Sequence, residues 1–212
     1  MKDSSFNIYE LIRRRSSADI NQRISYQKEM FRKTIHLVAV FVPIFYIYLK
    51  NVILTSIVII TILYYISELL RQSGISLPVI SRITSIAERE RDRGRFVLGP
   101  LTLVSGIFCS LLFFPPNIAM VAIYALALGD GIASVIGKLF GRIMIPFCGG
   151  KTFIGSIACF SILFVTYLLL NISPLTCIIL ALTAMFLELL PIKDFDNIIV
   201  PLGTGLVALF LI

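Results

Sequence analysis

IAMVAIYALALGDGIASVIG, residues Ile118 to Gly137, decides the fold. The stretch is long enough to cross a hydrocarbon core as a helix, which takes about 20 residues. It carries no charge from Ile118 to Gly129 and then a single carboxylate, Asp130. Comparable apolar runs lie on both sides, at about Thr34–Leu49, Val52–Leu70, Phe96–Phe114, Phe153–Leu170, Pro174–Leu190 and Ile198–Ile212. Composition agrees: 58% of the 212 residues are hydrophobic and 15% charged, with a mean hydropathy of +0.94. A soluble chain does not have that mix. The fold expected is all-α, a polytopic integral membrane protein of about seven transmembrane helices.

The polar remainder falls into the segment 1–33 and the loops 71–95, 138–152 and 191–197, which alternate with tight turns at Lys50–Asn51, Pro115–Asn117 and Asn171–Ser173. With seven spans all the polar segments share one side, and all but Lys50 of the 19 basic residues lie there. The positive-inside rule makes that side, with the amino terminus, cytoplasmic. The net charge of +7 is therefore read as orientation rather than as a nucleic-acid surface. Residues 1–33 form an interfacial segment, with Phe6, Ile8, Tyr9, Leu11 and Ile12 ahead of Arg13, Arg14 and Arg15. Residues 34–212 are expected to form one transmembrane domain, with the loops 71–95, 138–152 and 191–197 at its polar face. The single histidine excludes an HExxH site and any multi-histidine metal centre. The cysteines, with no CxxC pair, read as small apolar side chains.

A carboxylate inside a span is expensive and points to function. Asp130 is the plainest such residue, set in ALGDGIASVIGKLFGR, where Gly129, Gly131, Gly137 and Gly141 permit close approach of a backbone or a ligand. Next comes Gly149-Gly150-Lys151-Thr152, which resembles the end of a phosphate loop. The position where a Walker A motif needs its first glycine is Ile145, so the motif is absent. A glycine pair beside a lysine and a hydroxyl can still hold phosphate, with Lys138 and Arg142 nearby. Glu188 and Asp196 add carboxylates at the same face, suited with Asp130 to Mg²⁺. At the start of the first span, Arg32, Lys33 and His36 share one helix sector. Orientation signals, solvated charge and helix packing would each produce part of this pattern; together the features suit phosphate chemistry on a lipid. The charge-rich run Arg82 to Arg95 reads as a solvated helix or as a further phosphate contact.

These pieces resemble the family of CTP-dependent dolichol kinases, phytol kinases and yeast-type diacylglycerol kinases. The resemblance rests on RKTIH (Arg32–His36), ALGDGIASVIGKLFGR (Ala127–Arg142), GGKTFIGS (Gly149–Ser156) and ELLPIKDFDNIIVP (Glu188–Pro201), in the family's order. It implies transfer of the γ-phosphoryl group of CTP, with Mg²⁺, to a lipid hydroxyl. Asp130, Lys33 and His36 would then be catalytic. Arg32, Lys33, Gly129, Gly137, Lys138, Gly141, Arg142, Gly150, Lys151, Thr152 and Asn197 would hold the nucleotide, and Asp130, Glu188 and Asp196 the metal. Where the family often has an acidic residue after its GK pair, this chain has Phe153 and Ile154, so a carboxylate such as Glu188 must serve instead.

The expected substrate is a long isoprenoid alcohol of the dolichol or polyprenol type. The alternatives are a diacylglycerol, phytol or geranylgeraniol kinase, a cytidylyltransferase forming a CDP-lipid, and a transporter. The expected partners are membrane lipids, the lipid alcohol and the nucleotide, with room for a homodimer and no nucleic acid. The compact length suggests a prokaryotic plasma membrane.

Overall fold

The computed structural model describes residues 24, 26–75, 84, 88, 92 and 94–212. Residues 1–23 and 25 of the interfacial segment and most of the charge-rich run Arg82–Arg95 lie outside the described residues. Within them the chain forms seven helices: α1 Tyr26–Tyr48, α2 Lys50–Gln72, α3 Gly99–Phe113, α4 Pro116–Phe140, α5 Phe153–Leu169, α6 Pro174–Leu189 and α7 Asp196–Leu211. A 3₁₀ turn, Lys193–Phe195, leads into α7.

Local sequence sets the helix starts. Pro lies in the first turn of α3, α4 and α6, where its missing N–H takes no bond from the helix. The Thr152 hydroxyl accepts from Gly155 N at 3.2 Å to cap α5, and Ser173 Oγ accepts from Thr176 N at 3.3 Å to cap α6. In α1 the ring of Pro43 removes the donor that Ala39 O would otherwise use, and Val42 N donates there instead at 3.1 Å. The helix tightens into a turn at Ala39–Val40 and resumes at Phe41.

α4 is the hub. It holds Ala119, Ala122, Ile123, Ala125, Leu126 and Ala127, all fully buried, and packs against α1, α3, α5 and α7. The apolar window of α4 is 72% buried whereas that of α2 is 11% buried. α2 is thus a peripheral helix whose apolar surface faces outward, as lipid contact requires. Tyrosine hydroxyls in this apolar bundle find carbonyls on neighbouring helices: Tyr167 donates to Val121 O at 3.1 Å and Tyr46 to Leu111 O at 3.3 Å.

The helices begin and end within a few residues of the expected apolar runs, α1 excepted: it extends back to Tyr26, so Arg32 and Lys33 lie on the same helix as His36. Four helices, α1, α2, α4 and α7 with its leading turn, are long and apolar enough to cross a membrane. The protein is therefore a polytopic membrane protein. α3, α5 and α6, with 15, 17 and 16 residues, reach about 22–26 Å at 1.5 Å per residue, short of a core of about 30 Å. Seven helices are present among the described residues, and four of them are long and apolar enough to span.

Within α4 the regular helix gives way to a π-helical stretch, Ala125–Asp130, before α-helix resumes at Gly131. Such stretches recur at functional positions. This one ends on Asp130.

Candidate active site

A cavity of about 610 Å³ opens where the polar segments meet. α1 contributes Glu29, Arg32 and Lys33; α4 contributes Asp130, Ser134, Gly137 and Lys138; the loop before α5 contributes Gly149 to Thr152; and Glu188 and Asp196 close the far wall. Segments far apart in sequence thus present their charges to one space, at one end of the bundle.

At the base of this cavity Lys33 Nζ donates to Asp130 Oδ2. His36 Nδ1 stands 3.2 Å from the same oxygen. All three side chains are buried. Lys33 and His36 are three apart on α1, so both project toward α4. The approach of the two helices is close because position 131 is glycine: a Cβ there would come within 3.1 Å of Leu37 Cδ2. A buried ammonium and carboxylate persist only as a pair, since either alone would carry an uncompensated charge. Ser134 Oγ lies 3.5 Å from Asp130 Oδ1.

The opposite wall is a short hairpin between α4 and α5. Ile145 N donates to Lys151 O at 2.8 Å and Phe153 N to Ile143 O at 3.2 Å. Gly149 and Gly150 turn the chain with φ of +65° and +86°, a backbone that L side chains rarely adopt. Nothing lies within 4 Å of a Cβ placed at either glycine, so their backbones face open space. Lys151 Nζ forms an ion pair with Glu188 Oε1 at 3.1 Å. That pair stands beside the glycine turn.

Several expected residues also pack between helices or lie off the cavity wall. A Cβ at Gly137 would lie 2.7 Å from Thr152 Oγ1, and one at Gly141 2.5 Å from it. These glycines therefore seat Thr152 against α4, and Gly137 also lines the cavity. Gly129 packs on Cys159 and Leu163, away from the cavity. Asn197 donates to Thr102 Oγ1 at 3.0 Å, tying α7 to α3. Arg142 is exposed outside the lining. His36 lies behind Asp130 rather than on the wall. Arg32, Lys33, Lys138, Gly150, Lys151, Thr152, Asp130, Glu188 and Asp196 are brought together.

Glu29 is a lining residue that the sequence reading passed over. It accepts from Arg32 Nη2 at 2.5 Å and lies 3.9 Å from Lys138 Nζ. Its signal was the three-residue spacing to Arg32. A second charged cluster was also missed. Glu68 is 1% exposed, accepts two bonds from Arg71 at 2.8 and 2.7 Å and accepts from Val97 N at 2.8 Å. With Arg71 donating to Arg95 O at 2.7 Å, it ties the segment before α3 to the end of α2.

Among the described residues no group of three or more His, Cys, Asp or Glu side chains converges tightly enough to hold a metal unaided. The carboxylates that line the cavity are nevertheless hard oxygen donors. A protein that supplies only one or two carboxylates, with phosphate oxygens and water for the rest, is the ordinary arrangement for Mg²⁺. The donor set fits the ion in that shared form.

Known proteins resemble the chain over much of its length. A probable chloroplastic phytol kinase of Triticum aestivum is 31% identical over 145 residues, 58% of this chain and 47% of that one. A chloroplastic farnesol kinase of Arabidopsis thaliana is 35% identical over 71 residues, 32% of this chain and 23% of that one. An uncharacterised protein of Rickettsia prowazekii is 25% identical over 187 residues, 82% of this chain and 90% of that one. The chain spans about half the length of the plant phytol kinases it matches. No protein-family profile matches the chain, and no solved structure matches it. Homology to the phytol and farnesol kinases is the result.

Proposed function

We propose that this homologue of the phytol and farnesol kinases transfers the terminal phosphoryl group of a nucleoside triphosphate to the hydroxyl of an isoprenoid alcohol. One observation carries the reading: a single cavity at the end of a membrane-spanning bundle unites Lys33–Asp130, Lys151–Glu188 and the open Gly149–Gly150 turn. Such a site meets a lipid alcohol from the bilayer and a nucleotide from water.

The alcohol proposed is of the phytol or farnesol class. The dolichol expectation gives way here, because the named relatives act, by their names, on these shorter isoprenoids. CTP is the donor proposed, on the family resemblance, since no described side chain can be assigned to reading a base. The cavity is placed at the cytoplasmic face on the distribution of basic residues, and a prokaryotic plasma membrane remains the proposed location.

Phosphoryl transfer depends chiefly on positioning and charge stabilisation. Mg²⁺, when bound, would neutralise charge on the donor phosphates and the departing oxygen, held through Asp130 with Glu188 or Asp196. Lys151, paired with Glu188, would turn its ammonium to a phosphate, aided by the N–H groups of the Gly149–Gly150 turn. Arg32 and Lys138 would set the charge balance at the mouth together with Glu29. Lys33 would orient Asp130 and then share the charge that develops in transfer. His36, 3.2 Å from Oδ2 behind the carboxylate, would help hold that oxygen away from the cavity.

The test uses purified protein with Mg²⁺, γ-labelled CTP or ATP in parallel, and a panel of phytol, farnesol, geranylgeraniol, dolichol and diacylglycerol. Label on phytol or farnesol, with release of the nucleoside diphosphate, is expected. Pyrophosphate release with an unlabelled lipid would identify a nucleotidyltransferase and overturn the kinase reading.

A further inference from the structure

The hairpin that carries Gly149–Thr152 also carries a phenylalanine in an unfavourable place. Cys148 N donates to Ile145 O at 3.4 Å, closing a turn over Pro146 and Phe147. Pro at the second position is usual; the third, at φ +62°, ordinarily takes glycine or asparagine. A Cβ in that region is strained, so Phe147 must gain something that glycine would not. It gains no burial within the chain, for it is 95% exposed.

Its surroundings say what covers it. Apolar exposure continues in chain direction from the end of the spanning helix α4, across Gly141 and Arg142, into the hairpin, through Leu139, Phe140, Ile143 and Met144, each more than half exposed. Lys138 and Arg142 are interleaved among these residues. Large apolar side chains continuous with a transmembrane helix, with basic residues beside them, match the boundary between acyl chains and anionic headgroups.

We propose that the hairpin 141–152 is an interfacial membrane anchor. Phe147, with Ile143 and Met144, enters the headgroup–acyl boundary of the leaflet in which α4 ends. The insertion fixes the Gly149–Thr152 wall of the cavity at headgroup depth. It rests on the membrane character of α4 and not on the chemistry proposed above, so each can fail without the other.

The chain contains no tryptophan, so Phe147→Trp introduces a single reporter. The full protein is reconstituted in vesicles of phosphatidylcholine and phosphatidylglycerol, with and without brominated acyl chains. Phe45→Trp, on the exposed face of α1, gives the signal of an indole inside the bilayer. The expected result at position 147 is blue-shifted emission, strong quenching by brominated lipid and weak quenching by iodide. Water-like emission, quenched by iodide and indifferent to brominated lipid, would overturn the anchor. Phe147→Gly supplies a second check: its thermal midpoint in detergent should equal or exceed that of the parent, since the turn loses strain. A lower midpoint would mean that the ring is needed inside the chain, and that too would overturn the proposal.

Discussion

Lys33 on α1 and Asp130 at the end of the π-helical stretch of α4, 97 positions apart, form a buried ion pair at the base of the cavity. The pair is both a structural clasp between two helices and the centre of the proposed chemistry, and the two roles separate by mutation. Asp130→Asn should lower transfer by about 10³-fold, the scale seen when a group aimed at developing charge is lost. It should also destabilise the fold, because breaking a buried pair on one side costs about 3–5 kcal/mol. Replacing both partners, as Lys33→Met with Asp130→Leu, should restore much of the thermal midpoint while activity stays absent. Normal turnover in Asp130→Asn would remove this residue from the mechanism.

Most charges around the cavity already have a partner: Lys33 with Asp130, Lys151 with Glu188, and Arg32 and Lys138 near Glu29. A polyphosphate entering such a space meets carboxylates as well as cations. At an effective dielectric of 20, a phosphate oxygen 4 Å from a carboxylate is opposed by about 4 kcal/mol. Nucleotide and divalent ion should therefore bind together and poorly apart. Titration calorimetry without lipid alcohol should show CTP affinity falling by at least about tenfold in EDTA. Equal affinity with and without Mg²⁺ would exclude this linkage.

The bundle was largely legible because apolar runs in a membrane protein are bounded by features that also start and stop helices. α5 begins at Phe153 and α6 at Pro174, as the runs indicate. The site was legible where cost exposed it: a carboxylate such as Asp130 has few structural reasons to lie in an apolar helix. The π-helical stretch left no mark, because ALALGD contains nothing that forces an extra residue into a turn. Glu68 was hidden at the end of a span, where a charge reads as a boundary, although its partners Arg71 and Val97 make it a tertiary anchor. Asn197 shows a packing role that its sequence position does not reveal. A polar residue beside Asp196 read as a ligand contact, and its amide is occupied by Thr102 and Gly99.

The Glu68 anchor gives a prediction away from the cavity. Glu68→Gln keeps an acceptor for Val97 N but removes the charge that holds the Arg71 guanidinium. Hydrogen bonds to charged groups contribute about 1.5–3 kcal/mol, and the local loss should be of that order. Hydrogen exchange should accelerate at residues 94–98 and stay unchanged across the buried stretch of α4. Faster exchange throughout α4 would mean that this cluster supports the whole bundle and not one segment.

The glycines around Thr152 separate packing from phosphate binding. A Cβ at Gly155 would stand 2.7 Å from Ala133 O, a backbone atom of α4 that cannot swing aside. Gly155→Ala must push α5 from α4, and overpacking of this kind costs about 1–3 kcal/mol. Gly150→Ala meets no neighbour but must hold φ near +86°, at about 1–2 kcal/mol, in an exposed turn that can relax locally. The two variants should therefore fail differently. Gly155→Ala should lower the thermal midpoint in detergent with a nucleotide KM near that of the parent in the folded fraction. Gly150→Ala should shift the midpoint little and raise the nucleotide KM about tenfold, because the turn no longer presents its N–H groups in register. If Gly150→Ala leaves that KM unchanged, the turn is only a connection between α4 and α5, and phosphate binding must rest on the lysines alone.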